Sequence, residues 1–445
     1  HANAILSLTN QPDGESICRD VYGERMGIVP YIMPGFDLAR EAAKVYEADT
    51  DVHGLIALKH GIFTFAETAK EAYERMLEVV SQAEDRLSKG RKRVFLQSTF
   101  PENPIPVANI AAVVRGACAI KDEVTGEPIK RFVLDFRTSP EVLTYVNGND
   151  LEHYSQIGVT TPDHTIRTKN WPLIIPYPDG DSPDTFKRDA ISAVSSYIDK
   201  YHAYFERHNA RLSKQKIELD PAPRVVLVPG AGLFGVGSSH KDAVIASDIA
   251  EATIRTITDA EAIGTYQSID ESDMFDLEYW SLEQAKLGRG GEGPLVGRVT
   301  VVTGGGGTIG SAIGRAFGKA GSDVAILDVN VDLAQSAADS ISGSALAIAC
   351  DVTEEASVRS AFDQICAAFG GVDIVVSNAG AAWQGKIGEV PDSLLRTSFE
   401  LNFFAHQTIA QNAVRVMRHQ GMGGVLLFNV SKQAVNPGMD FGPYG

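Results

Sequence analysis

The chain has 445 residues, enough for two to four domains, and its 44% hydrophobic and 22% charged residues are typical of a globular protein. A formal net charge of −17 argues against nucleic-acid binding, because a phosphate backbone requires a basic surface. Since the sequence contains no apolar run of about 18 residues, we expect no membrane span and predict a cytoplasmic protein that acts on small molecules.

Glycine- and proline-rich stretches divide the sequence into three regions. We define them as the first region (1–90), the middle region (91–290) and the C-terminal region (291–445). The segment GRGGEGPLVG, residues 288–297, is predicted to be a polar connector between the last two. Four cysteines are spread over the three regions without a C-x-x-C motif, and we expect them to be reduced packing residues.

The first region is predicted to run strand, helix, strand, helix. The apolar segment GLIALK (54–59) is a predicted strand that ends directly before His60. The segment from Glu67 to Gly90 is a predicted long amphipathic helix. Its proposed apolar stripe consists of Ala69, Ala72, Tyr73, Met76, Leu77 and Val80.

The middle region mixes strands, loops and helices. One of its segments is similar in sequence to a segment of the first region. HGIFTFAETAKEA (60–72) aligns without gaps on AGLFGVGSSHKDA (231–243), and each follows a short apolar strand and leads into a helix. One interpretation is a degenerate second copy of the unit, in which Ala231 replaces His60 and the middle region is a metal-free structural partner. The alternative is that any junction of strand, glycine and helix looks alike.

A polar turn of the middle region, TPDHTIRTK (161–169), also contains a histidine. His164 could contact a substrate phosphate together with Arg167 and Lys169. The favoured interpretation of the turn is structural, with Asp163 as a helix N-cap.

The C-terminal region alternates strands and helices. The predicted strands lie within VTVVT, DVAILD, ALAIACD, VDIVVSN and GVLLFNV, each followed or preceded by a helical pattern. Short apolar strands that alternate with helices indicate a doubly wound parallel sheet, as in a Rossmann fold. The fold class is therefore α/β in all three regions.

A glycine-rich loop follows the first of these strands. In TGGGGTIG, Gly305, Gly307 and Gly310 satisfy G-x-G-x-x-G, so the backbone can approach a pyrophosphate at a helix N-terminus. Asp328 ends the next strand, 18 residues after Gly310. A carboxylate there accepts hydrogen bonds from the adenosine ribose and repels a 2′-phosphate, which favours NAD over NADP.

The loop, Asp351-Val352, Asn378-Ala379-Gly380 and a serine thirteen positions before Tyr444 occur in the order seen in short-chain dehydrogenases. The C-terminal region resembles this family over residues 296–445, with Thr308 in place of the usual middle glycine of T-G-x-x-x-G-x-G. The resemblance implies nucleotide binding by Thr303, Gly304, Gly305, Gly307, Thr308, Ile309, Gly310, Asp328, Asp351, Val352, Asn378, Ala379 and Gly380.

The same resemblance implies a catalytic set of Asn402, Ser431 and Tyr444. Tyr444 would be the general acid/base, Ser431 would hold the substrate oxygen, and Asn402 would hold a water in the proton path. In the family a lysine follows the tyrosine by four positions, which is position 448 here. A phenol is a poor base at pH 7 without a nearby cation, so we expect a fragment that ends at Gly445 to be a poor dehydrogenase.

The first region resembles the second half of a class II aldolase/adducin domain. HANA resembles the second histidine of the family's H-x-H pair with its following strand, VPYIMPGFDLA resembles an intermediate stretch, and His60-Gly61 resembles the last ligand. The resemblance implies a Zn²⁺ site that includes His1 and His60. The family's first histidine and its glutamate would precede His1.

The order of the regions resembles bifunctional proteins in which a rhamnulose-1-phosphate aldolase is fused to a short-chain dehydrogenase. That resemblance implies cleavage of L-rhamnulose 1-phosphate to dihydroxyacetone phosphate and L-lactaldehyde, followed by oxidation of the aldehyde with NAD in a homo-oligomer. Alternatives are a similar fusion for another sugar phosphate or polyol, and a dehydrogenase with a non-catalytic, adducin-like first region. A binding module without catalysis is a third interpretation.

Overall fold

The computed structural model describes residues 1–91, 94–100, 104–122, 124–180, 183–287, 293–386, 388–436 and 438–445. Part of the predicted connector, residues 288–292, lies outside these ranges. All four cysteines are buried free thiols, as expected. Within the described ranges, every helix is too short or too polar to span a bilayer.

The first region is a small sheet covered by helices. Its elements are α1 (Asn3–Thr9), α2 (Gly14–Tyr22), β1 (Met26–Val29), α3 (Phe36–Ala48), β2 (Gly54–Ala57), β3 (Gly61–Thr64) and α4 (Ala69–Leu87). The sheet order is β1-β2-β3, with β2 parallel to β1 and antiparallel to β3. A capping box between Thr68 and Glu71 starts α4.

Two predictions for the first region were wrong. The residues after His1 form the helix α1 rather than a strand, and α1 is buried from Ala4 to Thr9, which removes the one-sided pattern that distinguishes a helix. On α4 the buried positions are Val79 and Ala83, whereas Tyr73 is 63% exposed and Leu77 is 49% exposed. The predicted stripe followed helical spacing, but the packed face is rotated toward α1 and α2.

The middle region contains a four-stranded sheet of order β6-β9-β8-β7 and a separate β4-β5 pair. Its elements are α5 (Val107–Cys118), β4 (Ile120–Lys121), β5 (Pro128–Lys130), β6 (Val133–Arg137), α6 (Pro140–Val146), α7 (Leu151–Tyr154), α8 (Thr165–Thr168), β7 (Leu173–Ile174), α9 (Pro183–Asn209), β8 (Val225–Val228), β9 (Gly232–Gly237), α10 (His240–Ile263), α11 (Glu271–Glu278) and α12 (Ser281–Ala285). The helix α10 packs against this sheet on one side and against α1 on the other, so it joins the first two regions.

The two similar segments, 60–72 and 231–243, also have similar backbone geometry. In both copies a strand, a tight turn, an antiparallel strand and an N-capped helix follow one another. The matching positions are Lys59 and Gly230 (φ 57° and 78°), Gly61 and Gly232 (φ 155° and 146°), and the N-caps Thr68 and Ser239. This likeness favours a duplicated unit, although duplication itself stays a prediction.

The C-terminal region is a five-stranded parallel sheet between two layers of helices, as predicted. Its elements are β10 (Val299–Thr303), α13 (Thr308–Lys319), β11 (Asp323–Asp328), α14 (Val331–Asp339), β12 (Ala345–Ala349), α15 (Glu355–Phe369), β13 (Ile374–Ser377), α16 (Asp392–Phe399), α17 (Ala405–Gln420) and β14 (Val425–Phe428). The strand order is β12-β11-β10-β13-β14. The order reverses between β10 and β13, which is where a doubly wound sheet binds its ligand.

The middle and C-terminal regions share a buried interface centred on Arg115 of α5. Its guanidinium is fully buried and contacts Asp373, with Nη2 and Oδ2 2.5 Å apart, and it donates to the carbonyl oxygen of Gly297 at 3.0 Å. Arg131 contacts the other carboxylate oxygen of Asp373. Burial raises the pKa of Asp373, but the two arginine charges outweigh it and hold the pKa below its ordinary value. These regions therefore pack as one unit.

We expect Arg115→Ala to lower the free energy of unfolding by at least about 3 kcal/mol, because removal of one partner leaves the buried Asp373 undercompensated. Urea unfolding monitored by far-ultraviolet circular dichroism measures the change. The control is Arg396→Ala, which removes an exposed ion pair with Asp392 whose side chains are 76% and 73% exposed, and which should leave the free energy of unfolding nearly unchanged. Equal destabilisation by both variants would contradict the importance assigned to the buried contact.

Candidate active sites

The glycine loop places a helix N-terminus at the point where the order of the sheet reverses. Gly304 has φ of 58°, and a Cβ atom on Gly310 would lie 2.2 Å from the carbonyl oxygen of Gly304. A side chain at position 310 would therefore push α13 away from the loop. The first N–H groups of α13 have no partner within the helix, so they are suited to bind an anion.

Most of the predicted nucleotide and catalytic residues line two neighbouring cavities beside this loop. A cavity of about 750 Å³ is lined by Gly304, Gly307, Thr308, Ile309, Gly310, Asp328, Asn378, Ala379, Gly380, Asn402, Ser431 and Tyr444, among others. A second cavity, of about 680 Å³, is lined by Asp351 and Val352 and shares Gly304, Asp328, Ala379 and Gly380 with the first. The arrangement provides one continuous groove for an extended ligand.

Two predicted residues, Thr303 and Gly305, do not line either cavity and have structural contacts instead. The Thr303 hydroxyl accepts hydrogen bonds from the N–H groups of Asn378 (2.9 Å) and Ala379 (3.0 Å), which ties the end of β10 to the end of β13. The N–H of Gly305 donates to the carbonyl oxygen of Leu327 at 3.0 Å. These bonds support the groove without facing it.

Asp328 lies at the end of β11, where it borders both cavities. One carboxylate oxygen accepts a hydrogen bond from the N–H of Gly306, and the other accepts one from the N–H of Asn330, each at 3.0 Å. The carboxylate is thus held at the mouth of the glycine loop. A carboxylate at this place can accept hydrogen bonds from the two hydroxyls of a ribose.

Asn402 lies in a π-helical turn, Glu400–Phe404, between α16 and α17. Its side chain accepts from the N–H of Ala381 at 3.1 Å and donates to the carbonyl oxygen of Ala381 at 2.9 Å and to the Ser398 hydroxyl at 3.1 Å. Single π-helical turns inside helices often mark functional sites. Asn402 therefore fixes the segment that follows Asn378-Ala379-Gly380.

His406 lines the cavity and was missed by the sequence analysis. Its Nδ1 atom is 2.5 Å from the Ser377 hydroxyl, and burial lowers the pKa of the imidazole, so the ring is neutral at pH 7. His406 follows Asn402 by four positions, which places both on one helical face. That spacing was the signal available in the sequence.

Ser431 and Tyr444 reach the same cavity from the segment that follows β14. The Ser431 hydroxyl accepts a hydrogen bond from the N–H of Gln433 at 3.2 Å. Tyr444 is positioned through its neighbour Pro443, whose carbonyl oxygen accepts a 2.7 Å hydrogen bond from the Ser398 hydroxyl. Ser398 also contacts Asn402, so one buried hydroxyl connects the positions of two predicted catalytic residues.

The second candidate site lies at the turn between β2 and β3. The ring centroids of His1 and His60 are 5.3 Å apart. The Nδ1 atom of His60 is buried and has no hydrogen-bond partner among the described residues. Burial lowers the pKa of His60, so the imidazole is neutral at pH 7, which is the form that binds a metal.

A carboxylate of the middle region completes a group of three at this site. Asp163 Oδ2 lies 3.4 Å from His1 Nε2, and one ligand atom from each of His1, His60 and Asp163 lies within 4.8 Å of the others. The favoured interpretation of Asp163 as a helix N-cap was wrong, because its side chain forms no capping hydrogen bond and faces His1. Imidazoles and a carboxylate are ligands that suit Zn²⁺, and the unpaired His60 nitrogen fits this use.

His164 lies beside the three-residue group. Its ring centroid is 6.1 Å from that of His1, and its Nδ1 atom is 3.3 Å from the Thr160 hydroxyl. Burial lowers the pKa of His164 to about 4, so the ring is neutral and offers no positive charge to a substrate phosphate at pH 7. This disfavours the phosphate-contact interpretation of His164.

Each of the three regions matches a protein-family model. The class II aldolase and adducin N-terminal domain family matches residues 1–87, and the family described as aldolase class II, second domain, matches residues 106–287. The short chain dehydrogenase family matches residues 298–445.

Individual relatives match either the whole chain or part of it. The uncharacterized oxidoreductase YuxG of Bacillus subtilis (strain 168) is 33% identical over 465 residues, which cover 100% of this chain and 65% of that protein. The 7α-hydroxysteroid dehydrogenase of Escherichia coli (strain K12) is 34% identical over 153 residues, which cover 34% of this chain and 59% of that protein. The chain thus spans less than two thirds of either relative.

A solved structure of 7α-hydroxysteroid dehydrogenase in complex with NADH and 7-oxo glycochenodeoxycholic acid is also similar. It is 33% identical, has a TM-score of 0.33, and the match covers 34% of this chain and 59% of that chain.

Proposed function

We propose that the full-length protein, in which this chain joins class II aldolase domains to a short-chain dehydrogenase domain, cleaves a ketose 1-phosphate and oxidises the released aldehyde with NAD. The carrying observation is that Asp328, Asn402, Ser431 and Tyr444 border one cavity with the glycine loop, while His1 and His60 meet in a separate region. The chain therefore contains a separate set of candidate residues for each of two reactions.

The first reaction is an aldol cleavage, for which we propose L-rhamnulose 1-phosphate as substrate. His1 and His60 would hold the zinc ion, which when bound polarises the substrate carbonyl and hydroxyl oxygens. The substrate's C4 hydroxyl loses a proton, the bond between C3 and C4 breaks, and C3 takes up a proton. The products are dihydroxyacetone phosphate and L-lactaldehyde.

The second reaction is proposed to use the C-terminal cavity. NAD supplies the hydride acceptor when it is bound. The hydrated aldehyde loses a hydride from carbon and a proton from oxygen, and becomes the carboxylic acid. Ser431 would hold the reacting oxygen, and the phenolate oxygen of deprotonated Tyr444 would accept its proton. Asn402 would keep the adjacent backbone in place and support a water-mediated route for that proton.

We propose NAD rather than NADP because of Asp328. Its carboxylate lies at the mouth of the glycine loop, where it would bind the ribose hydroxyls and repel a 2′-phosphate. Asp351 and Val352 line the neighbouring cavity and would flank the adenine. The expected homo-oligomer and cytoplasmic location remain part of the proposal.

The function is tested with the zinc-loaded full-length protein, L-rhamnulose 1-phosphate and NAD. We expect dihydroxyacetone phosphate and NADH to form in equal amounts, with NADP supporting much slower reduction. Dihydroxyacetone phosphate without NADH would contradict the proposed redox partner. No cleavage of this substrate, but cleavage of another ketose phosphate in a panel, would support the alternative of a similar fusion with a different substrate. Failure of the full-length protein to bind zinc, with NAD reduction retained on added aldehyde, would favour the non-catalytic, adducin-like alternative.

A further inference from the structure

We propose that Asp163 of the middle region supplies a carboxylate ligand to the metal of the first region, so that one metal centre is built across two regions. This inference rests on the proposed zinc site at His1 and His60. It departs from the expectation that the middle region is a metal-free structural partner.

The distance between His1 and Asp163 equals the separation expected for two ligands of one metal ion. Two ligand atoms that are each about 2.1 Å from a tetrahedral zinc ion lie about 3.4 Å apart. His1 Nε2 and Asp163 Oδ2 are 3.4 Å apart, and one ligand atom of His60 lies within 4.8 Å of both. The imidazole of His60 also has a buried Nδ1 atom without a hydrogen-bond partner among the described residues, so this nitrogen is free to bind a metal.

A lysine contacts the second oxygen of the Asp163 carboxylate and orients this side chain. Asp163 Oδ1 lies 3.7 Å from the Nζ atom of Lys286, while Oδ2 faces His1. Lys286 is itself held by Glu283, at 2.6 Å. Groups that contact the ligands in this way usually orient them and tune metal affinity. One carboxylate oxygen is thus paired with a cation, and the other is available to a metal.

The segment that carries Asp163 is docked on the histidine turn. The Thr161 hydroxyl donates to the carbonyl oxygen of His60 at 3.3 Å. From the first region, the Lys59 ammonium group donates to the carbonyl oxygen of Ser268, in the middle region, at 2.9 Å. Lys59 adopts a left-handed conformation with φ of 57°, an uncommon conformation that is often found at functional sites. These contacts hold the middle region close enough to share a ligand set.

The test compares Asp163→Asn with Lys286→Met in the full-length protein. Asparagine preserves the size of a side chain that is 31% exposed, so folding should be retained, which thermal melting checks. Competition with a chromogenic chelator gives the zinc affinity. We expect Lys286→Met, which removes a group that orients a ligand, to weaken zinc binding about 10- to 100-fold, and Asp163→Asn, which removes the ligand itself, to weaken it by more than about 100-fold.

The visible absorption spectrum of the Co²⁺-substituted protein gives a second readout that does not depend on activity. Asp163→Asn should change the band positions and intensities, because the ligand set changes, whereas Lys286→Met should leave them nearly unchanged. Wild-type zinc affinity and an unaltered Co²⁺ spectrum in Asp163→Asn would overturn the inference. If His60→Ala still removes zinc in that case, the proposed aldolase site survives; if His60→Ala also binds zinc normally, the proposed site itself fails.

Discussion

Replacement of Tyr444 by phenylalanine is expected to lower kcat for NADH formation roughly 10³-fold in the full-length protein. The change removes one hydroxyl that borders the cavity with Ser431 and Asn402, and with it the group proposed to accept the substrate proton. Sugar-phosphate cleavage should continue at the wild-type rate, because the proposed metal site lies in another region. Steady-state assays of NADH and of dihydroxyacetone phosphate measure the two rates separately.

Two measurements make this test specific. NADH fluorescence should show nearly unchanged cofactor affinity in Tyr444→Phe, since the glycine loop and Asp328 are untouched. The matched variant Tyr73→Phe removes the hydroxyl of an exposed tyrosine on α4 and should have wild-type activity in both assays. If Tyr444→Phe forms NADH at the wild-type rate, the proposed proton acceptor is wrong.

Replacement of His60 by alanine is expected to reduce bound zinc from about one ion per chain to near zero and to abolish aldol cleavage. The Nδ1 atom of this imidazole is buried and has no other partner among the described residues. Loss of one ligand from a site with few protein ligands removes both affinity and geometry. Metal content after exhaustive dialysis, determined by mass spectrometry, is the direct measurement.

The control for this variant is His53→Ala, which removes the one histidine of the first region, residues 1–90, that is not in the three-residue group. His53→Ala should retain zinc and cleavage, and both variants should oxidise added aldehyde at the wild-type rate. Equal zinc content in His60→Ala and in the wild-type protein would refute a metal site at this turn.

The C-terminal region and the first region differ in how far the sequence alone could predict their sites. In the C-terminal region, each strand is short and mostly apolar, and most of the proposed site residues follow the carboxyl end of a strand. Because parallel strands bring these ends to one edge of the sheet, sequence order is sufficient to bring Asp328, Asn378 and Ser431 together. His406 was overlooked although its spacing from Asn402 was visible.

In the first region the sequence predicted His1 and His60 as site residues, but it did not predict the helices that pack around them. The helix α1 was predicted as a strand because it is buried on several sides, which removes the periodic contrast between apolar and polar residues. The stripe on α4 had helical spacing, yet only the position of α1 and α2 decides which face of α4 is covered.

The sequence by itself determined the α/β class, the Rossmann-type sheet and the glycine loop, because these depend on local patterns of burial and backbone conformation that are repeated along the chain. Only the tertiary structure decided that Asp163 lies beside His1 and that Arg115 is buried against Asp373. These pairs are separated by 162 and 258 residues along the chain. Their proximity depends on how separate regions pack, which no local periodicity encodes.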